Sequence, residues 1–312
     1  MEIYKKLSTV NKKFPRPVIA LGMFDGVHIG HASIISRAVE LAHSINGTSI
    51  VFTFSNHPLS ILAPESQPLM IGSRSLRRKL VEEIGVDVLI DIPFTRELSK
   101  RSPEEFMQLL KDKFAPSIVV TGPNYTFGRF GKGNGRMLIR ESDAYGFRAE
   151  ICPAITVDKK TVSSTRIRKA IADGDLKCAN ELLGRPFTYV STVVHGDRRG
   201  RKLGFPTANL EIAEGRAMLP NGAYAVSVEL DGRKHCGIAN VGDNPTFGVV
   251  KRRLEVYIDR FNGDLYGRQL SVAFLEALRA EQKFSSAEEL VAQLRNDLER
   301  AQKVFQSYSS RH

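Results

Sequence analysis

The sequence has few cysteines and no long apolar run, and both features exclude classes of protein. Its three cysteines, Cys152, Cys178 and Cys236, stand far apart without a Cys-x-x-Cys pair, so neither a zinc site nor a disulfide framework is indicated. Residues 1–14 contain lysines but no apolar core of signal-peptide length, and no later run approaches a membrane span. We therefore expect a soluble cytoplasmic protein with reduced thiols, and we find no internal repeat or low-complexity segment in the sequence.

Acidic residues are scarce relative to basic ones. The chain has 34 Asp and Glu against 45 Lys and Arg, a formal net charge of +11, which favours anionic partners such as nucleotides, nucleic acid or an acidic membrane surface. Charge alone does not choose among these partners. A length of 312 residues with 42% hydrophobic residues favours two domains, each with its own core.

A glycine-rich turn near the N-terminus is the most informative segment. Residues 22–31 read Gly-Met-Phe-Asp-Gly-Val-His-Ile-Gly-His; they follow an apolar strand at 18–21 and precede apolar residues at helical spacing over 32–45. The first turn of a helix favours an anion such as phosphate, because its N–H groups lack partners and the helix dipole is positive there. His28 and His31, three residues apart, can point toward one spot and donate to phosphate oxygens.

Strand and helix patterns alternate over the first half of the chain. Apolar strands are predicted at 49–54, 86–90 and 118–121, and helices at 73–84 and from Ser102 onward. This alternation predicts a parallel sheet with helices on both faces. The basic residues of the helix at 73–84 are interpreted as a solvated face.

Further candidate ligands follow the predicted strands. His57 comes after the strand at 49–54 and Asn124 after the strand at 118–121, and open α/β sheets bind ligands at that edge. His57 either contacts a nucleotide or caps the turn, and the residues do not decide between these roles. Ser163, Ser164 and Thr165 open a later helix, where they can cap it and, with nearby arginines, donate to phosphates.

These segments together resemble the adenylyltransferase domain of the bacterial bifunctional riboflavin kinase/FMN adenylyltransferases. The resemblance rests on the turn at 22–31, Asn-His-Pro at 56–58, the Gly-x-Asn-x-x-Phe-Gly segment at 122–128 and Ser-Ser-Thr-x-Ile-Arg at 163–168. Met23 is a departure, because small or polar residues are commoner there in the family, but it removes no catalytic group. The resemblance implies His28, His31 and Arg168 as catalytic groups, and Gly22, Phe24, Asp25, Gly26, His57, Asn124, Ser163, Ser164 and Thr165 as nucleotide-binding residues.

From residue 186 the pattern changes to short strands and tight turns. Strands are predicted at 189–195, 223–230, 234–239, 254–258 and 270–275, with Asp231-Gly232 as a hairpin turn and a capped helix from Ser285 or Ser286 onward. Such closely spaced strands are typical of an antiparallel sandwich or a small barrel. We place the domain boundary near 185, giving domains at 1–185 and 186–312.

A glycine- and arginine-rich loop opens the second domain. Residues 196–204 carry three glycines and four basic residues, which suits a phosphate cradle or a nucleic-acid-binding loop. Thr207 and Asn209 then offer a hydroxyl and an amide carbonyl, hard oxygen ligands suited to Mg²⁺ that bridges phosphates.

The second half resembles riboflavin kinase over its whole length. The matching segments are Gly-Arg-Lys-Leu-Gly-Phe-Pro-Thr-Ala-Asn at 200–209, Asn-Val-Gly-x-x-Pro-Thr-Phe at 240–247, Asp-Leu-Tyr-Gly at 264–267 and Leu-Arg-x-Glu-x-x-Phe at 278–284. The resemblance implies a barrel, Mg²⁺ on Thr207 and Asn209, and Glu255 as the base that accepts the riboflavin 5′-hydroxyl proton. By strand periodicity alone, Glu255 is either a solvated residue or a buried base. The expected phosphate ligands of the loop are Gly196, Arg201 and Gly204.

The sequence therefore predicts an α/β Rossmann-like nucleotidylyltransferase domain with a parallel sheet, followed by an antiparallel riboflavin kinase-like β-barrel with a C-terminal helix. The expected activity is phosphorylation of riboflavin to FMN and adenylylation of FMN to FAD, with ATP and Mg²⁺. We expect a monomer or weak oligomer without a nucleic-acid or membrane partner. Two alternatives stay open: a transferase for another small substrate, such as phosphopantetheine or nicotinate mononucleotide, and a basic protein that grips a nucleic-acid backbone.

Overall fold

A computed structural model describes residues 1–196, 200, 204–246 and 249–310. The predicted loop ligand Arg201 lies outside these residues. The chain divides into two compact units, of which the first is Met1–Pro68 with Arg74–Ser164 and the second is Leu69–Ser73 with Thr165–His312.

The first unit contains ten strands and six α-helices among the described residues. The strands are β1 (Glu2–Tyr4), β2 (Val18–Leu21), β3 (Ser49–Phe54), β4 (Val88–Ile92), β5 (Ile118–Thr121), β6 (Thr126–Phe127), β7 (Gly133–Asn134), β8 (Arg148–Ile151), β9 (Thr156–Val157) and β10 (Lys160–Thr161). The helices are α1 (Ile29–Ser44), α2 (Leu59–Leu62), α3 (Arg74–Glu83), α4 (Arg96–Ser99), α5 (Pro103–Phe114) and α6 (Gly135–Glu141).

Six of these strands form one parallel sheet in the order β1-β4-β3-β2-β5-β8. The chain proceeds from β2 to β3 and β4 on one side, then returns to β5 and β8 on the other. The order therefore reverses between β2 and β5, and in open α/β sheets a ligand crevice forms outside the carboxyl ends of the strands at such a reversal.

Both faces of the sheet are covered, which explains why its strands are apolar without alternation. On one face Val18 and Ala20 pack with the apolar stripe of α1 and with α3. On the other face Ile19 and Leu21 pack with α5 and α6. The helix predicted from Ser102 onward is confirmed as α5, and a capping box begins it, since Ser102 and Glu105 exchange side-chain and backbone hydrogen bonds.

The second unit is a closed barrel with helices. Its described elements are α7 (Ser164–Asp173, whose first residue belongs to the first unit), α8 (Leu176–Leu183), β11 (Phe187–Val194), β12 (Thr207–Glu211), β13 (Gly222–Leu230), β14 (Arg233–Thr246), β15 (Val249–Ile258), β16 (Gln269–Ala280) and α9 (Ala287–Ser309). The strands close in the order β11-β12-β15-β14-β13-β16, with antiparallel neighbours.

Helix α9 packs against the barrel strands. Its Ala301 is buried among Ala223, Ala225, Ile238 and Leu278, and Ser286 caps its first turn. The predicted hairpin turn is also confirmed, because Asp231 and Gly232 join β13 to β14 with positive φ angles of 49° and 74°. Within the described ranges, no helix combines the length and apolar character that crossing a membrane requires.

Several element boundaries differ from the sequence prediction. The strand expected at 86–90 lies at Val88–Ile92, and β14, β15 and β16 extend well beyond their apolar segments. Strand β12 lies at Thr207–Glu211, where the sequence predicts no strand.

Candidate functional site

The glycine-rich turn joins β2 to α1 in a strained conformation. Phe24, Gly26 and Val27 all have positive φ, at 50°, 76° and 40°. This region is unfavourable for a bulky or β-branched residue, and such strain is concentrated at functional sites. Gly22 is required for another reason, since a Cβ there would lie 2.7 Å from the Phe24 ring.

His28 and His31 lie side by side at the start of α1. Their rings stack with centroids 3.6 Å apart and planes 16° apart, and the Phe24 ring meets His31 edge-on at 5.4 Å. His28 is 5% exposed and is the N-cap of α1, because its Nδ1 accepts the backbone N–H of His31 at 3.2 Å. A neutral His28 therefore carries its proton on Nε2.

A cluster of ion pairs around the buried Asp91 contacts the glycine-rich turn. Asp91, which is 1% exposed, accepts hydrogen bonds from Arg77 at 2.7 Å, Arg78 at 2.8 Å and Arg74 at 3.2 Å. Burial by itself would raise the pKa of Asp91, but the charge of Arg77 and the hydrogen bond from Arg78 hold it below its ordinary value.

The interpretation of this helix as a solvated basic face was therefore wrong for Arg77, which is 4% exposed. The signal that could have revealed the cluster is an aspartate inside the apolar run of β4, preceded by arginines at positions 74, 77 and 78, which share one helical face.

A cavity of about 480 Å³ opens at the carboxyl ends of β2 and β5, where the strand order reverses. One part of its wall is polar or glycine-rich and includes the predicted residues Gly22, His28, His31, Asn124, Ser163 and Ser164. Another part is aromatic and apolar and includes Phe54, Leu62, Phe94, Leu98, Phe106 and Phe127. Phe24 also lines the cavity, whereas Asp25 and Gly26 belong to the same turn but not to the wall.

His57 caps a turn, which is one of the two roles considered for it. Its Nδ1 accepts the backbone N–H of Leu59 at 3.2 Å, at the start of α2. It does not belong to the cavity wall. A contact between His57 and a nucleotide stays a prediction.

The serine- and threonine-rich segment is divided between the two units. In the first unit, Ser164 Oγ donates to the backbone carbonyl of Asp25 at 3.4 Å. In the second unit, Arg168 Nε donates to the carbonyl of Leu69 at 2.7 Å, and Thr165 belongs to this unit as well.

A second polar cluster lies where β12 pairs with β15. Asn209 is directly opposite Glu255 in the ladder, and Thr207 is opposite Tyr257, so these four side chains share one face of the sheet. Thr207 Oγ1 donates to Glu255 Oε2 at 3.5 Å. Because the adjacent Leu254 and Val256 are fully buried, Glu255 points away from that core and is half-buried.

Gly196 is packed directly against this cluster. A Cβ at position 196 would lie 2.4 Å from the amide group of Asn209, closer than any side chain allows. Gly204 has a φ of 80°, which glycine adopts without strain. Glycine is therefore needed at 196 because of close packing, whereas at 204 it is favoured by the backbone conformation. Arg201, which lies between them in sequence, is outside the described residues.

Comparisons with known proteins match each half of the chain separately. Residues 10–166 match the family model for FAD synthetase, and residues 183–305 match the model for riboflavin kinase. The bifunctional riboflavin kinase/FMN adenylyltransferase of Listeria monocytogenes is 36% identical over 90% of both chains. The protein of the same name from Haemophilus influenzae is 33% identical over 98% of this chain and all of its own.

One solved structure is similar to this chain over nearly its whole length. The crystal structure titled as a macrolide-efflux protein from Streptococcus pneumoniae has a TM-score of 0.86 and 34% identity, and the match covers 96% of this chain and 98% of that one. On the two family models and the full-length relatives, the present chain belongs to the family of bifunctional riboflavin kinase/FMN adenylyltransferases.

Proposed function

We propose that this chain phosphorylates riboflavin to FMN and then adenylylates FMN to FAD, with one ATP consumed in each step. The observation that carries the proposal is that each family match contains one of the two polar clusters: the glycine-rich turn with His28 and His31 lies in the FAD synthetase match, and Thr207, Asn209 and Glu255 lie in the riboflavin kinase match. We assign adenylyl transfer to residues 1–185 and riboflavin phosphorylation to residues 186–312.

The cavity of the first unit suits a molecule with a flat aromatic end and a phosphate end. Its aromatic wall offers a surface for a flavin ring, and its glycine-rich turn and helix N-terminus suit phosphates. A volume of about 480 Å³ lies within the usual range for small-molecule sites. We therefore assign the aromatic wall to the flavin and the turn to the ATP phosphates.

Adenylyl transfer needs charge stabilisation more than a base. An FMN phosphate oxygen, already ionised at neutral pH, attacks the α-phosphorus of ATP; a new P–O–P bridge forms and the bond to pyrophosphate breaks. We assign His28, through its Nε2–H, and His31 to the α-phosphate oxygens, where negative charge develops. Ser163, Ser164, Thr165 and Arg168 are assigned to the departing pyrophosphate, for which they offer hydroxyl donors and a positive charge.

Riboflavin phosphorylation is assigned to the cluster on β12 and β15. Glu255 accepts the 5′-hydroxyl proton while that oxygen attacks the γ-phosphorus of ATP and ADP leaves. Thr207 and Asn209 are proposed to hold Mg²⁺, which fits because a hydroxyl and an amide oxygen on the same face of β12 supply hard oxygen donors in one place. When bound, the metal neutralises charge on the ATP phosphates. Gly196, Arg201 and Gly204 are assigned to the ADP phosphates.

We also propose that the chain works in the cytoplasm as a monomer or weak oligomer, without a nucleic-acid or membrane partner. Supporting this, the protein's three cysteines are all free thiols, as expected in a reducing compartment.

The direct test is to incubate the purified chain with riboflavin, ATP and Mg²⁺ and to separate riboflavin, FMN and FAD over time. The proposal expects FMN to appear first and FAD to follow, and chelation of Mg²⁺ by EDTA to stop phosphorylation. Pyrophosphate release with phosphopantetheine or nicotinate mononucleotide, but not with FMN, would overturn it in favour of another transferase.

A further inference from the structure

Three neighbouring strand ends bring a carbonyl, a hydroxyl and a carboxylate into one row beneath the glycine-rich turn. Met23 lies two residues after the end of β2. Thr53 lies near the end of β3, and Asp91 on β4 is the partner of Thr53 in the parallel ladder. Thr53 Oγ1 donates to the Met23 carbonyl at 3.0 Å. Thr53 and Asp91 are both fully or almost fully buried.

Arg77 spans this row with both ends of its guanidinium fork. Its Nη1 donates to the Met23 carbonyl at 3.2 Å, and its Nη2 donates to Asp91 Oδ1 at 2.7 Å. The side chain is 5% exposed. Only arginine provides two rigidly spaced donors of this kind, so lysine is not an equivalent residue here.

The Met23 carbonyl is connected to His28 and His31 through the few residues of the glycine-rich turn. Met23 precedes Phe24, which has a positive φ and a fully buried ring that packs on His31. The Val27 N–H donates to the Phe24 carbonyl at 3.2 Å and closes the turn, after which His28 starts α1. Because Phe24 and Val27 are strained, the turn keeps its shape only while its surroundings hold it.

We propose that Arg77 is a positioning residue for adenylyl transfer, which fixes the Met23 carbonyl and thereby the turn that sets the two imidazoles. The inference rests on the adenylyl-transfer function proposed above for this cavity. Arg77 acts through the turn and not by touching the reacting phosphates.

Arg78 provides a matched control on the same helix. It donates twice to the other oxygen of Asp91, at 2.8 and 3.2 Å, and in the described part of the chain it makes no hydrogen bond to the turn. Arg78→Met and Arg77→Met each remove one cation from Asp91, but only Arg77→Met also removes a hydrogen bond to the Met23 carbonyl. Thr53→Val removes the second bond to that carbonyl without changing any charge.

The experiment measures kcat and KM for FAD formation from FMN and ATP in full-length Arg77→Met, Arg77→Lys, Thr53→Val and Arg78→Met. Riboflavin phosphorylation by the same preparations reports on the second unit. We expect Arg77→Met to lower kcat of FAD formation by about 10²-fold, the size of effect that a small misplacement of catalytic groups produces, with a smaller change in KM for ATP. Thr53→Val should act in the same direction, Arg77→Lys should recover part of the rate, and Arg78→Met should stay close to wild type.

Equal losses in Arg77→Met and Arg78→Met would overturn the inference, because the cluster would then act only through its charge or its stability. A loss shared by riboflavin phosphorylation, or a wild-type kcat in Arg77→Met, would overturn it as well. If Arg77→Met does not fold, Thr53→Val decides: an unchanged kcat contradicts the positioning role. Absence of FAD from the wild-type chain would instead refute the proposed function itself.

Discussion

Replacement of His28 separates a structural role from a chemical one. The imidazole Nδ1 caps α1, and Nε2 carries the proton assigned to the α-phosphate. Alanine removes both functions, whereas asparagine is a favourable N-cap residue and so retains the first. The pair His28→Ala and His28→Asn therefore tests which atom matters for the reaction.

The expected magnitudes follow from these two contacts. Loss of an N-cap costs about 1 kcal/mol of stability, so only His28→Ala should lower the free energy of unfolding of the first unit by this amount. Loss of one preorganised donor to developing charge costs about 10²- to 10³-fold in rate, or about 2.7–4 kcal/mol. Both variants should lose FAD formation by this factor.

The assay is the steady-state rate of FAD formation from FMN and ATP, accompanied by chemical unfolding and by riboflavin phosphorylation in the same preparation. FMN should accumulate from riboflavin in both variants, because the second site is unchanged. The reasoning is refuted if His28→Asn makes FAD at the wild-type rate, since the cap alone would then account for the residue.

Three further predictions concern the barrel site and the buried ion cluster. Glu255→Gln should lower riboflavin phosphorylation by about 10²- to 10⁴-fold and leave FAD formation from FMN intact; a normal phosphorylation rate would exclude Glu255 as the base. Gly196→Ala should displace the Asn209 amide, given the 2.4 Å approach, and raise the Mg²⁺ concentration needed for half-maximal phosphorylation; an unchanged requirement would count against Asn209 as a ligand. Asp91→Asn should lower the free energy of unfolding by about 3–5 kcal/mol at pH 7, because it leaves the buried Arg77 without its carboxylate partner. Since the pKa of Asp91 is lowered in the folded state, its contribution is full above the ordinary carboxyl pKa of about 4 and is lost as the pH falls through the lowered value. Wild type and Asp91→Asn should therefore converge in stability only in acid, and a gap that closes near neutral pH would contradict the ion cluster.

The parts of the fold that could be predicted from sequence are those with strong local signals. The strand, turn and helix around His28 are marked by an apolar run, glycines and helical spacing, and α5 is marked by Ser102, a proline and a capping-box glutamate. The signals for these elements lie within the segments themselves, so the local sequence is enough to predict them.

The parts that could not be predicted depend on long-range contacts. Arg77 and Asp91 are buried because α3 packs on β4. Since charged residues are rarely buried, the sequence alone does not indicate this position. The pairing of Asn209 with Glu255 follows from the register of β12 and β15, which no local pattern specifies for two strands that lie far apart in the chain. The sequence thus indicated the candidate groups, and the register showed which of them share a face.

We propose that two separate sites on one chain carry out successive steps on the same flavin. Two full-length variants, His28→Asn and Glu255→Gln, test this when they are mixed with riboflavin, ATP and Mg²⁺ and FAD is measured. We expect little FAD from either variant alone and restored FAD formation in the mixture, because FMN released by the first is adenylylated by the second. The proposal would be contradicted if each variant alone formed as much FAD as the wild-type chain. It would also be contradicted if the mixture formed no FAD although each variant retained its other activity.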